Sequence, residues 1–476
     1  MTDAAEYMKV GLFEVGLNTY WEQFEGLLDR LVGYRKDISA KIGCMGVHVV
    51  DFGMVDSLEK ALQAADLFRK EGVEIIFLYV STYALSSTVL PAVRNLGIPV
   101  IILNVQPVSA IDYDRLNGMG DRGIMTGEWL AHCQACSLPE ITHIFNRAEI
   151  KYEIVTGYFQ EEYVWKQIED WIAAAKAVAG MRVNKTGILG HYYCGMLDVY
   201  SDTTLHAVGF GTHFELLEMC RLRRLRDMVS SREIEEKISE FRDCFDIVPQ
   251  CDSQELVRAA KTSVALDRLV HECGLGSLAY YYEGTPGSSY EDIITSIIPG
   301  STLLTAYGIP IAGECEVKTV QAMKIMSLLG MGGSFAEFYA LDFTDNVVLL
   351  GHDGPAHFAM AENKVKLVPL PVYHGKPGRG LSIQMSVKQG PVTVMSLCEI
   401  DGKLSLLLAE GDAETGKTLL IGNTNSRYRF PLEIRDFINR WSEVGPSHHC
   451  AIGVGHRGDL LRKFAFLAGI DCVTIC

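Results

Sequence analysis

Three acidic or histidine-bearing segments and one histidine pair carry the residue types that could do chemistry. Ala312-Gly-Glu-Cys-Glu-Val-Lys-Thr319 places Glu314 and Glu316 just ahead of a helical pattern that continues through Leu329. Ser334-Phe-Ala-Glu-Phe-Tyr339 sets Glu337 between aromatic residues, and Leu349-Leu-Gly-His-Asp-Gly-Pro-Ala-His357 ends an apolar run on His352. Gly445-Pro-Ser-His-His-Cys450 adds His448 and His449 in a Gly/Pro-rich loop. Carboxylates beside aromatic rings and histidines at strand ends are costly unless they are paired or bind an ion. A mixed oxygen and nitrogen set suits Mn²⁺, Co²⁺ or Fe²⁺, whereas Mg²⁺ prefers all-oxygen sites and zinc more often recruits thiolate. Ligands this far apart form no spacing motif, and any one of these residues taken singly also fits an ordinary paired role in a core.

Other matches to known patterns fail on chemistry. Gly411-Asp-Ala-Glu-Thr-Gly-Lys-Thr418 has the letters of a phosphate-binding loop. Asp412 and Glu414 would put negative charge where amides must cradle phosphate, and a strand-like run follows in place of a helix. A turn between two strands is the better reading. Gly118–Gly123 and Gly453–Gly458 both read G-x-G-x-x-G, but neither follows the first strand of an α/β unit, so a nicotinamide cofactor is not expected. Cys133-Gln-Ala-Cys136 lacks a second pair for zinc, and the 13 cysteines read as reduced and buried. The sequon at Asn184 carries little meaning in a cytosolic protein. The basic run Arg221–Arg226 reads as a solvated or inter-subunit helix face.

Positioning such a site requires a large framework. Lys9–Val15, Met45–Val55, Val73–Val80 and Ile98–Val105 read as apolar strands. They alternate with helices over Trp21–Ile42, Ser57–Glu71 and Leu85–Asn95, the pattern of a parallel sheet buried on both faces. A second alternation follows: a helix over Glu161–Ala179, a strand over Lys185–Gly190, helical segments over Phe214–Phe245 and Ser253–Glu272, a strand near Leu278–Tyr282 and a helix over Tyr290–Leu304. Beyond about residue 330 come short β-rich runs at Val347–Gly351, Val365–Val372, Leu381–Val387, Val392–Ile400, Lys403–Glu410 and Thr418–Ile421. A helix (Leu432–Glu443), a loop, Asp459–Ala468 and a closing strand Asp471–Ile475 finish the chain. The expected fold class is α/β: two doubly wound α/β domains (1–155 and 156–325) followed by a C-terminal antiparallel β-barrel-like domain (326–476) carrying most of the candidate ligands.

Composition sets outer limits. The 476 residues are 48% hydrophobic and 21% charged, a balance that supports large cores. A net charge of −16 argues against nucleic-acid binding. The acidic start without an apolar leader, and the lack of a run of about 18 apolar residues, predict a cytoplasmic protein with no membrane contact.

The segments around Glu314, Glu337 and His352, together with His448-His449, Val155-Thr-Gly-Tyr-Phe-Gln160 and Gly390-Pro-Val-Thr-Val-Met-Ser-Leu397, resemble the L-arabinose isomerase family, related to the L-fucose isomerases. The resemblance covers nearly the whole chain. It implies a metal-dependent aldose–ketose isomerase working through a cis-enediol, with Glu314, Glu337, His352 and His449 as ligands of Mn²⁺ or another divalent ion (Co²⁺, Fe²⁺ or Mg²⁺). Glu314 and Glu337 would also serve as the acid/base pair, while Glu316, His357 and His448 stay outside the ligand set. Asn18, Tyr20 and Gln106 would bind sugar, acting in a neighbouring subunit of a trimer or hexamer. Leu17-Asn-Thr-Tyr-Trp21 and Gly190–Asp202 depart from the arabinose enzymes, which widens the substrate to a hexose, deoxyhexose or pentose, or an anionic hexose such as sulfoquinovose. For an anionic sugar the candidate cations are Lys318, Lys376, Arg379 and Arg427. The alternatives are a non-catalytic sugar-binding protein and a sugar epimerase on the same metal site.

Overall fold

Strands made wholly of aliphatic and aromatic residues have no face to offer water and must be covered on both sides. Ile75–Val80 is the purest example, with every residue buried. It is the central strand β3 of a parallel sheet whose other members are Lys9–Val15 (β1), His48–Val55 (β2), Val100–Gln106 (β4) and Tyr152–Tyr158 (β5), in the order β2-β1-β3-β4-β5. The computed structural model describes residues 8–283, 287–371 and 379–476. It divides into two compact units, residues 1–176 and 177–476. In the first unit, Phe13, Phe68, Ile76, Leu78, Ile102 and Phe145 pack into one apolar core.

The expected helix over Trp21–Ile42 begins only at Leu27. Gly26 holds a left-handed backbone (φ 77°), and Trp21 instead donates its indole N–H to Asp56 Oδ2 at 2.8 Å.

The second unit opens with Lys185–Gly190 (β6), His213–Leu217 (β7), Asp246–Ile247 (β8), Ser277–Tyr281 (β9) and Ile311–Ala312 (β10). Strands β10-β9-β6-β7 form a second parallel sheet. The segment 214–245, expected as continuous helix, is β7 followed by helices Met219–Asp227 and Ser231–Cys244. Parallel pairing of Lys185–Leu189 with His213–Leu217 overrides the local helical preference there. The expected helix over Tyr290–Leu304 is two helices, Ser289–Ile294 and Ile298–Ala306, because Pro299 fits only in a first helical turn. Asn184 is buried and hydrogen-bonded to Thr186 and Ser277, so its sequon is not presented to solvent.

The chain then lays down Gly332–Asp342 (β11), Val347–His352 (β12), Lys366–Leu370 (β13), Gly380–Gln384 (β14), Gly390–Ile400 (β15), Lys403–Glu414 (β16), Thr424–Arg429 (β17), His449–Val454 (β18) and Asp471–Thr474 (β19). Six of these close into an antiparallel barrel, β15-β18-β11-β12-β17-β16 with β16 returning to β15. The free side of the long strand β16 is divided: β17 takes residues 412–414 and β19 pairs in parallel with 405–408. Strands β14-β13-β8 form a small separate sheet. Ala336, Val348, Leu350, Val394, Tyr428 and Ile452 pack with Phe437 and Trp441 of the helix Ile434–Glu443. The architecture is thus α/β, with parallel-sheet layers followed by a C-terminal closed barrel.

Three further expectations are corrected. The run Thr418–Ile421 is a connection, because the Asn425 amide accepts from the Leu419 N–H and donates to its carbonyl, pinning a turn. The stretch expected as loop after Glu443 contains β18, inserted between β11 and β15. Val372 and Lys376 lie outside the described residues. The phosphate-loop look-alike is the end of β16 and the connection to β17, with Glu414 paired to Arg429 and no helix behind it. Gly458 opens a helix whose first N–H already donates to Glu410 Oε1 at 2.6 Å. The basic run lies on the helix Met219–Asp227, where Arg226 is buried against Asp292 and Thr262. All 13 cysteines are free, but Cys44, Cys136, Cys194 and Cys220 are exposed, contrary to the expectation of burial.

Barrel closure beside His352 depends on one glycine. A Cβ on Gly351 would lie 2.0 Å from the Thr424 carbonyl oxygen of the paired strand. Gly351→Ala should lose about 1–3 kcal/mol in denaturant unfolding, the range for forced overpacking.

Candidate metal centre

The barrel register builds most of the site. Glu337 on β11 is the direct partner of His449, the first residue of β18, and of Gly351 on β12. Directly opposed residues on antiparallel strands bring their side chains together on one face. His352 ends β12, where the Thr424 hydroxyl accepts its backbone N–H at 3.1 Å and donates to its carbonyl at 2.9 Å. Phe335 lies 4.4 Å, ring centre to ring centre, from both His352 and His449. A Cβ on Gly354 would meet His352 Nδ1 at 2.9 Å, so the chain can pass that imidazole only as glycine.

Glu314 comes from a turn that follows β10. It and Cys315 both hold left-handed backbones, φ 54° and 57°. Each such residue other than glycine costs about 1–2 kcal/mol. The turn is tied down by Cys315 N–H to Tyr280 O (2.9 Å), Glu316 N–H to Gly313 O (3.0 Å) and Tyr193 N–H to Glu314 O (3.4 Å). Strain held by so many backbone bonds is characteristic of a functional turn.

Glu314, His352 and His449 offer ligand atoms that all lie within 4.8 Å of one another, and Glu337, His448 and His449 do the same. Donors about 2.0–2.3 Å from an ion stand at most about 4.6 Å apart, so small adjustments close either group. His449 is fully buried, and neither ring nitrogen makes a hydrogen bond among the described residues. Nε2 faces Glu314 Oε2 at 3.4 Å and Nδ1 faces Glu316 Oε2 at 3.5 Å. A buried imidazole with unused nitrogens among carboxylates fits a divalent cation.

His448 points the same way from a more open position. Asp198 Oδ2 accepts from both its backbone N–H (3.0 Å) and its Nδ1 (2.6 Å). Its Nε2 is thereby held 3.7 Å from Glu314 and 3.8 Å from Glu337. The Glu314 carboxylate is the main influence raising the His448 pKa; partial burial opposes it, Asp198 adds to it, and the result is about 9. His357 stands apart, its backbone N–H on the Ser334 hydroxyl and its ring pKa lowered by burial.

Of the residues predicted from sequence, Glu314, His352 and His449 come together, and Glu337 joins through His449 and His448. Asn18, Tyr20 and Gln106 belong to the first unit, following the carboxyl end of β1 and ending β4. There Tyr20 stacks edge-on with Phe24, and Gln106 donates to Val108 O at 3.2 Å. Sequence reasoning missed Asp198, whose partner is 250 residues away, and no local signal marks it.

The raised His448 pKa gives a signed pH dependence. A histidine charged more readily in the folded state stabilises it fully below the unfolded pKa of about 6.5, and that contribution fades as pH rises through about 9. In chelator-treated protein, unfolding free energy should therefore decline between those limits, and His448→Asn should flatten the decline.

Comparison with known proteins adds to this geometry. Residues 332–471 match the family model described as the L-arabinose isomerase C-terminal domain. L-arabinose isomerase 1 of Bacillus licheniformis is 21% identical over 430 residues, covering 88% of this chain and 84% of that protein. L-arabinose isomerase of Geobacillus kaustophilus is 23% identical over 350 residues (69% and 68%), and that of Halalkalibacterium halodurans 21% over 410 residues (83% and 80%). With a matching C-terminal domain and distant similarity over most of its length, the chain is similar to members of the L-arabinose isomerase family.

Proposed function

We propose that this protein is a divalent-metal-dependent aldose–ketose isomerase. The observation that carries the reading is the convergence of Glu314, Glu337, His352 and His449, three of them from neighbouring barrel strands and one from a strained turn. Named relatives that are L-arabinose isomerases support the reaction class.

Moving a hydrogen between C1 and C2 of an open-chain sugar needs a base, an acid and positive charge near the reacting oxygens. A Mn²⁺ ion, or another divalent ion, held by the two glutamates and two histidines would supply that charge. Glu314 and Glu337 are the acid/base pair: one removes the proton from carbon while the other serves the adjacent oxygen, by way of a cis-enediol. Their surroundings differ, Glu314 being nearly buried and Glu337 29% exposed at its side chain, and unequal environments let two carboxylates hold different protonation states.

The sugar is best read as neutral. Lys318 is buried against Glu316, Arg427 pairs with Asp345, and Arg379 lies 3.7 Å from Glu255. Each of these three cations is matched to a carboxylate, which favours a neutral sugar over a sulfonate or phosphate, while the fourth candidate, Lys376, lies outside the described residues. Asn18, Tyr20 and Gln106 are assigned to sugar binding in a homo-oligomer, a trimer or hexamer in the cytoplasm.

The test strips the protein with chelator, restores Mn²⁺ and follows a panel of neutral and anionic aldoses in D₂O by NMR. Ketose should form only with metal, and Glu314→Gln or Glu337→Gln should each lower turnover by about 10²–10⁴-fold. A C2 epimer without ketose would establish an epimerase instead. Tight metal binding with neither product nor deuterium at C2 would overturn the isomerase reading.

A further inference from the structure

Glu316 has no part in the ligand set proposed above, yet it is fully buried beside it. A carboxylate at 0% exposure needs a reason and a counter-charge. The counter-charge is Lys318, itself buried, with Nζ 3.2 Å from Glu316 Oε1. Lys318 is steadied in turn by the Ser201 hydroxyl at 3.1 Å and the Tyr200 carbonyl at 3.4 Å. Glu316 Oε1 also accepts the Lys318 backbone N–H at 3.2 Å, which makes Glu316 the N-cap of the helix Val317–Leu328. Cap and ion pair together occupy Oε1. Oε2 is left facing His449 Nδ1 at 3.5 Å, and neither atom makes a hydrogen bond elsewhere among the described residues.

The far side of the same imidazole faces the metal-binding carboxylates, with Nε2 3.4 Å from Glu314 Oε2. A neutral histidine ligates through one nitrogen only if the proton sits on the other, and a carboxylate beside that other nitrogen fixes the choice. The adjacent His448 has the same layout, Asp198 on Nδ1 and Nε2 toward the glutamates. We infer that Glu316, anchored by Lys318, is a positioning residue that keeps the His449 proton on Nδ1 and aims Nε2 at the cation.

The inference rests on the metal-site part of the function proposed above, not on the sugar or the reaction. Glu316→Asp separates its two roles. Aspartate is a good N-cap and keeps the charge beside Lys318, but its shorter side chain falls about 1.5 Å short of His449. Glu316→Gln keeps the reach and removes the charge. Mn²⁺ affinity of chelator-stripped protein, read by EPR of the free ion, should fall about 10- to 100-fold in both variants, while the metal-free thermal midpoint of Glu316→Asp stays near that of wild type. Should one variant lose its helical circular dichroism, the other carries the test. Wild-type affinity in a folded variant would overturn the proposal and leave Glu316 as a cap and ion-pair partner. A wild-type chain that takes up no Mn²⁺ would overturn the cation reading itself, and this inference with it. Loss of affinity in a protein that turns over no sugar would uphold the inference while the isomerase reading fails.

Discussion

Four carboxylates converge on two adjacent imidazoles, and the rest of the second unit is arranged to make that tolerable. Asp198, Glu314, Glu316 and Glu337 all lie within 4 Å of a ring nitrogen of His448 or His449. Like charges gathered this closely repel one another, most strongly where they are buried, as Glu314 and Glu316 are. Relief comes in layers. Lys318 neutralises Glu316 from behind, His448 takes a proton more readily than a free histidine, and a divalent ion would answer the remaining charge in the middle. Removing one partner of a buried ion pair such as Lys318–Glu316 typically costs about 3–5 kcal/mol, so these layers depend on one another.

Geometry then decides which groups could share such an ion. The barrel fixes Glu337, His449 and Gly351 in one row across three strands, since a slip of one residue would send each side chain to the opposite face. A closed barrel has no edge from which such a slip could start. Only Glu314 arrives from outside the barrel, and it does so on a turn tied to β9 through the Tyr280 carbonyl. The barrel sets three positions by register and the parallel sheet delivers the fourth by strain.

Much of this framework was legible in the residues. The limits of β1 and β6 coincide with the apolar runs that suggested them, because such runs leave no choice of buried face. The closed barrel could be anticipated from evenly spaced short β-rich segments after residue 330. Strand β18 could not: Gly445, Pro446 and paired histidines read as loop, and only the ladders on either side make His449–Val454 a strand. Strand β7 was hidden for the same reason, its preference overridden by pairing with β6. At the site, residue types marked Glu314, Glu316, Glu337, His352, His357 and the histidine pair, and the family resemblance selected among them. The contact of Asp198 with His448 exists only in three dimensions, and Glu316 looked redundant next to Glu314 until the fold assigned them opposite sides of His449.

That opposition gives two glutamates separated by a single residue different surroundings. The left-handed turn at Glu314 and Cys315 reverses the chain before the helix begins at Val317. Glu314 is sent toward Nε2 of His449 and Glu316 toward Nδ1, so one imidazole is gripped from both ends by carboxylates of a single turn. An extended or helical backbone would not set residues i and i+2 on opposite sides of one ring at this distance: in a strand they share a face, and in a helix they diverge by about 200°. The strain of about 1–2 kcal/mol per left-handed residue therefore has a structural purpose. It separates a carboxylate that faces Nε2 of His449 from one that faces Nδ1, within the span of one tight turn.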